Sequence, residues 1–131
     1  MNGLPAVVES AVNRATERQA LSPTLLDVRG ICGYTDYLLI LSGRSSRQVR
    51  AIAEALLRGL REDGFRPYGQ EGLDDARWVL LDYSDVVVHV FLEELRDFYE
   101  LESLWAEAPR WLLEPAEVRP AVKKAGAARR R

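Results

Sequence analysis

The chain has 131 residues, 47% of them hydrophobic and 29% charged, with one cysteine and one histidine. That length suits a single domain with a real core, and the apolar fraction excludes disorder throughout. The lone Cys32 excludes an internal disulfide and a cysteine-built metal site, and it is expected as a small buried or half-buried residue.

The formal net charge of −2 conceals an asymmetry. Residues 119–131 hold six basic residues and no acid, which leaves 12 basic against 20 acidic residues in 1–118. Between 71 and 117, 13 acids face only Arg77, Arg96 and Arg110, a net −10. An acidic body repels nucleic acid and suits a basic partner, whereas the tail can meet phosphate by itself. No apolar run approaches the roughly 20 residues of a membrane span, and the N-terminus lacks a signal peptide's basic head and apolar middle, so a cytoplasmic protein is expected.

In chain order, Leu4, Val7, Val8, Ala11, Val12 and Ala15 recur at helical spacing and predict a first helix. A turn at Pro23 leads into "TLLDVRG", a strand ending near Gly30, and "YTDYLLILSG" reads as a central strand buried on both faces. Ser45 and Gln48 stand as in a capping box before a helix whose stripe is Val49, Ile52, Ala53, Leu56, Leu57 and Leu60, with Gly64 placed to end it. "FRPYGQ" predicts a short edge strand and "EGLDDAR" a polar loop.

"WVLLDYSDVVVHVF" predicts a hairpin with its tip at Tyr83 and Ser84, pairing Asp82 with Asp85 and Trp78 with His89. Alternation then puts Val79, Leu81, Val86, Val88 and Val90 on one face, and Trp78, Leu80, Asp82, Asp85, Val87, His89 and Phe91 on the other. "LEELRDFYELESLWAEA" predicts one closing helix, and after Pro109 the prolines and like charges predict a loosely ordered basic tail. The fold class is therefore α/β: a single domain, residues 1–108, with a mixed sheet of about five strands and helices mainly on one face, followed by a tail over 109–131. Both long helices have one apolar stripe, so they are expected on the valine face, leaving the other short of cover.

That second face carries the candidate chemistry. His89 lacks a recognisable nucleophile or oxyanion site, so a structural or interface role is expected. "SGRSSRQ" is a small-residue turn before a helix but lacks the P-loop spacing, and Ser45 is expected to be a helix cap. A metal-dependent nucleotidyl transfer would need two carboxylates on one strand face. Asp74 and Asp75 would point apart if extended, and Asp82 and Asp85 flank a turn. On the last helix, Leu92, Leu95, Phe98, Tyr99 and Trp105 share one arc opposite Glu93, Asp97 and Glu100, with Leu104 among the acids. Aromatic anchors beside acidic side chains are what a basic protein partner requires.

Four blocks, "TDYLLILSGRSSRQVRAIAEAL", "EG", "WVLLDYSDVVVHVF" and "LRDFYELESLW", together resemble the ribosomal silencing factor family, also called Iojap-like proteins, over about residues 5–108. The resemblance implies a nucleotidyltransferase-like fold without that activity and without a cofactor. It also implies binding to the fourteenth protein of the large ribosomal subunit at the intersubunit face, where the factor blocks subunit joining and lowers translation when nutrients are short. The docking residues it implies are Trp78, Leu80, Asp82, His89 and Phe91 of the hairpin, and Tyr99, Glu100, Leu101, Glu102, Leu104 and Trp105 after it. Alternatives are a residual nucleotidyltransferase, a large-subunit assembly factor, and a homodimer that uses the same face when free. The basic tail is a candidate contact for ribosomal RNA.

Overall fold

The computed structural model describes residues 3–18, 20–99, 101–113 and 123–124. Its elements are α1 (Ala6–Thr16), β1 (Leu21–Asp27), β2 (Tyr37–Gly43), α2 (Ser46–Glu62), β3 (Gly69–Glu71), β4 (Trp78–Asp82), β5 (Val86–Leu92), α3 (Glu93–Tyr99), α4 (Leu101–Leu104), β6 (Arg110–Leu112) and β7 (Lys123–Lys124). They form one mixed sheet in the order β3-β4-β5-β2-β1-β6-β7. β2 and β5 run parallel at its centre and the other pairs are antiparallel.

The uninterrupted apolar run of β2 is explained by its place: all seven of its residues are buried between two layers. On the first face, α1 and α2 lay Val8, Ala11, Val49, Ile52, Leu56 and Leu60 against Leu39, Leu41, Val79, Leu81, Val88 and Val90. Ser45 caps α2 as expected, its Oγ accepting from the Gln48 N–H at 3.1 Å, while Gln48 Oε1 accepts from the Arg44 N–H at 2.7 Å. At the other end Gly64 adopts φ 97°, and the Phe65 N–H reaches back to the Leu60 carbonyl at 2.8 Å to close the helix. The buried Arg96 pins α3 to the sheet by donating to Ser42 Oγ at 2.9 Å and Thr24 Oγ1 at 3.1 Å.

Three expectations are corrected. Seven strands are described rather than about five, because β6 pairs with β1 through Thr24–Leu112, Leu25–Trp111 and Leu26–Arg110. The folded body therefore continues past 108: Trp111 and Leu113 are buried in the first-face core, so "RWLL" is a strand with an inward face, not the start of a loose tail. The chain leaves the first face at Leu92 and returns to the second, where Trp105 and Ala108 pack. The second face thus has cover of its own.

The hairpin register is also displaced. Trp78 pairs with Phe91 and Asp82 with Val87, so the pairs lie two residues from those expected. The turn is responsible: the Tyr83 N–H donates to the Val86 carbonyl, centring the tip on Ser84 and Asp85, with Ser84 at φ 72°. A shift of two preserves the assignment of side chains to faces.

Candidate partner-docking face

The second face holds a smaller apolar cluster built from Leu26, Val28, Leu38, Ile40, Val87, Phe91 and Ala108, with Cys32, Trp78, Leu80 and Trp105 packed against it half-buried. β4 and β5 make its aromatic part. The Trp78 and Phe91 rings stack with centroids 5.0 Å apart, and His89 lies nearly parallel to Phe91 at 6.0 Å. Such offset aromatic contacts give the patch a rigid floor.

Trp78 Nε1 donates to His89 Nδ1 at 3.0 Å. An indole nitrogen only donates, so Nδ1 must be the acceptor and the neutral imidazole carries its proton on Nε2. That Nε2 is buried with no hydrogen-bond partner. Burial pushes the His89 pKa down to about 4, so the ring is neutral at physiological pH. With one nitrogen engaged and the other enclosed, His89 orients Trp78 rather than meeting solvent.

The residues expected on this face divide accordingly. Trp78, Leu80 and Asp82 alternate with buried neighbours and are half-exposed. Phe91 is fully buried and His89 is 3% exposed, so neither offers surface to a partner, which corrects their assignment as contact residues. Paired beside Trp78 and Leu80, they lie on the inner β5 strand under the cover that the chain makes around Trp105 and Ala108. Asp82 Oδ1 accepts from the Ser84 N–H at 2.8 Å and so helps form the turn.

Leu104 is 69% exposed, while Trp105 is half-buried with an indole Nε1 that is buried and unpartnered. Glu100 lies outside the described residues, and of Tyr99, Leu101 and Glu102 only the backbone is described, in α3 and α4. Of the tail expected over 109–131, residues 109–113 and the backbone of Lys123 and Lys124 are described, and the rest lies outside them.

Inspection of the sequence missed the β1–β2 loop. Its Cys32 packs against the second-face cluster, and Ile31 and Tyr34 beside it are 46% and 59% exposed. The signal was a pair of large apolar residues in a glycine-bounded turn, "GICGYTD", where polar residues are usual. Exposed acids border the hairpin and α3, among them Asp85, Glu93 and Glu94. The result is an apolar patch with half-buried Trp78, Leu80 and Trp105 in it. Among the described residues, no group of three or more His, Cys, Asp or Glu side chains is placed to hold a metal ion. No described helix is long and apolar enough to cross a membrane.

Residues 2–131 match the family model described as ribosomal silencing factor during starvation. The chain belongs to this family. It is 42% identical over 108 residues to ribosomal silencing factor RsfS of Halalkalibacterium halodurans, covering 82% of this chain and 92% of that protein. It is 33% identical to the mouse protein named mitochondrial assembly of ribosomal large subunit protein 1, covering 75% of this chain and 44% of that one. Among solved structures, a Chromobacterium violaceum protein superposes with a TM-score of 0.73 at 33% identity, over 76% of this chain and 83% of its own. One from Bacillus halodurans gives 0.68 at 41%, over 76% and 92%. Family membership thus rests on sequence and fold together.

Proposed function

We propose that this chain is a cytoplasmic ribosome-associated silencing factor that acts by binding, not catalysis. In this reading it docks on the fourteenth protein of the large subunit at the intersubunit face and keeps the small subunit from joining. The observation that carries the reading is the second-face patch: a half-exposed tryptophan and leucine on a rigid aromatic floor, in a segment, residues 71–117, with a net charge of −10. Aromatic anchors with a charged rim suit a protein partner, and ribosomal proteins are basic. Tyr99, Glu100, Leu101 and Glu102 belong to this proposed contact through the family resemblance.

Sedimentation with isolated large subunits, small subunits and a mixture competent to join tests it. Co-sedimentation with large subunits only, and fewer joined ribosomes, is expected; binding to neither subunit refutes it.

A nucleotidyltransferase-like ancestry is part of the same proposal, supported by the mixed sheet and by the strand–turn–helix passage through Gly43 and Ser45. Calorimetry with ATP or CTP and Mg²⁺ is expected to show no binding, and a metal-dependent signal would favour an enzyme instead. The name of the mouse relative favours a second reading, large-subunit maturation, in which deletion of the gene would accumulate immature large subunits under rich growth.

A further inference from the structure

We propose that the outer stripe of α2 is a contact surface for the phosphate backbone of RNA. The inner side of α2 is consumed by the core through Val49, Ile52, Ala53, Leu56 and Leu60. At 100° per residue the opposite side presents Arg47, Ala51, Glu54, Arg58 and Arg61, all exposed, with exposed Arg44 just before the helix. From Arg47 to Arg61 this row spans about 21 Å at 1.5 Å per residue.

What distinguishes the row from an ordinary solvated helix face is the fate of the neighbouring acids. Glu62 and Asp63, the carboxylates that follow Arg61, are engaged by Arg14 of α1. Its guanidinium grips Asp63 through Nε at 3.0 Å and Nη2 at 2.8 Å, and lies 3.4 Å from Glu62. Arg14 and Arg29 make ion pairs, and among the described residues none of Arg44, Arg47, Arg58 and Arg61 does. Glu54 is the one acid within the row, so the stripe is strongly positive on a chain whose 71–117 segment is strongly negative. The N-terminal end of the α2 dipole adds to the potential beside Arg44 and Arg47.

The chemistry favours RNA over other anions. Guanidinium forks match phosphate oxygens in pairs, and a rigid linear row suits a polymer of repeated charge. An anionic membrane would call for exposed apolar side chains among the cations, and the stripe offers only Ala51. The helix layer covers the first face of the sheet and the apolar patch lies on the second. One molecule can therefore hold a protein on one side and RNA on the other, and the RNA contact stands or falls separately from the proposed protein docking.

The test compares the full chain with R47Q/R58Q/R61Q, using fluorescence anisotropy of a labelled 20-nucleotide oligouridine between 50 and 200 mM salt. Each lost contact lowers the slope of log affinity against log salt by about 0.7, so the parent should lose about twentyfold more affinity than the variant over this range. Both proteins carry the same C-terminal tail, so their difference isolates α2. Glu54→Gln should tighten binding, and Trp78→Ala should leave the RNA slope unchanged while weakening sedimentation with large subunits. Equal slopes for parent and triple variant, or no binding of the parent at 50 mM salt, overturn the proposal. An equal arginine-dependent affinity for polyglutamate or for vesicles of anionic lipid overturns it as well.

Discussion

Removing the titration of His89 should flatten the chain's stability against pH. The folded state holds this imidazole at a pKa of about 4, depressed from 6.5 by burial. A depressed histidine disfavours folding wherever the unfolded chain takes up the proton and the folded chain does not. The penalty is absent well above pH 6.5, grows as the pH falls through that value, and saturates below about 4. Linkage over these two values gives about 2 kcal/mol lost between pH 7.5 and pH 5. Asp63 does not confuse this window. Its carboxyl is held down to about 2, chiefly by the hydrogen-bonded Arg14, so its stabilisation is intact above pH 5. The comparison is His89→Gln, whose amide oxygen can still accept from Trp78 and whose side chain does not titrate. Urea unfolding at pH 7.5, 6.5, 5.5 and 5 should show the parent losing about 2 kcal/mol more than the variant across the series. Parallel curves would refute the buried, neutral assignment of the ring, whatever the variant's absolute stability.

Further outcomes follow from other contacts. Trp78→Ala should weaken large-subunit binding by about 2 kcal/mol or more if the indole is an anchor, as read from sedimentation at protein concentrations where circular dichroism shows the fold intact. Leu104→Ser, at a 69% exposed position, should change stability by no more than about 0.5 kcal/mol yet weaken the same binding by about 1 kcal/mol. Gly72→Ala drives a methyl into the Trp78 carbonyl oxygen at a backbone φ of 89°, so thermal unfolding should show a loss of at least about 2 kcal/mol. Asp63→Asn should lower stability at neutral pH, and its gap from the parent should close as the pH falls from 3.8 through about 2.

Local periodicity made much of this fold legible. The α2 stripe, its Ser45 cap and its Gly64 stop were read from residues three and four apart, and the two hairpin faces from residues two apart. What escaped depends on contacts distant in sequence. β6 is a strand because it meets a free edge of β1 far back in the chain, at Thr24–Leu112, Leu25–Trp111 and Leu26–Arg110, and "RWLL" alone carries too short an alternation to say so. The hairpin register turned on whether Ser84 would take a positive φ, which a serine rarely does. The exposure of Phe91 could not be read from its face, because cover on the second face shields the inner strand β5 and leaves the side chains of β4 half-exposed.

The internal hydrogen bond of Trp78 constrains how any partner could use it. Its indole N–H is committed to His89, so an incoming protein that hydrogen-bonded it would have to break a buried contact and strand the imidazole Nδ1. The ring can instead offer its half-exposed apolar surface with its orientation already set by the stack on Phe91, which spares a partner the cost of ordering that side chain. Attraction from such a contact comes from buried area and is insensitive to salt, whereas the negative charge of the 71–117 segment acts mainly on the speed of encounter. Raised ionic strength should therefore slow association with the large subunit and leave dissociation nearly unchanged. A dissociation rate that rises steeply with salt would mean that desolvated ion pairs, rather than the tryptophan patch, hold the complex together.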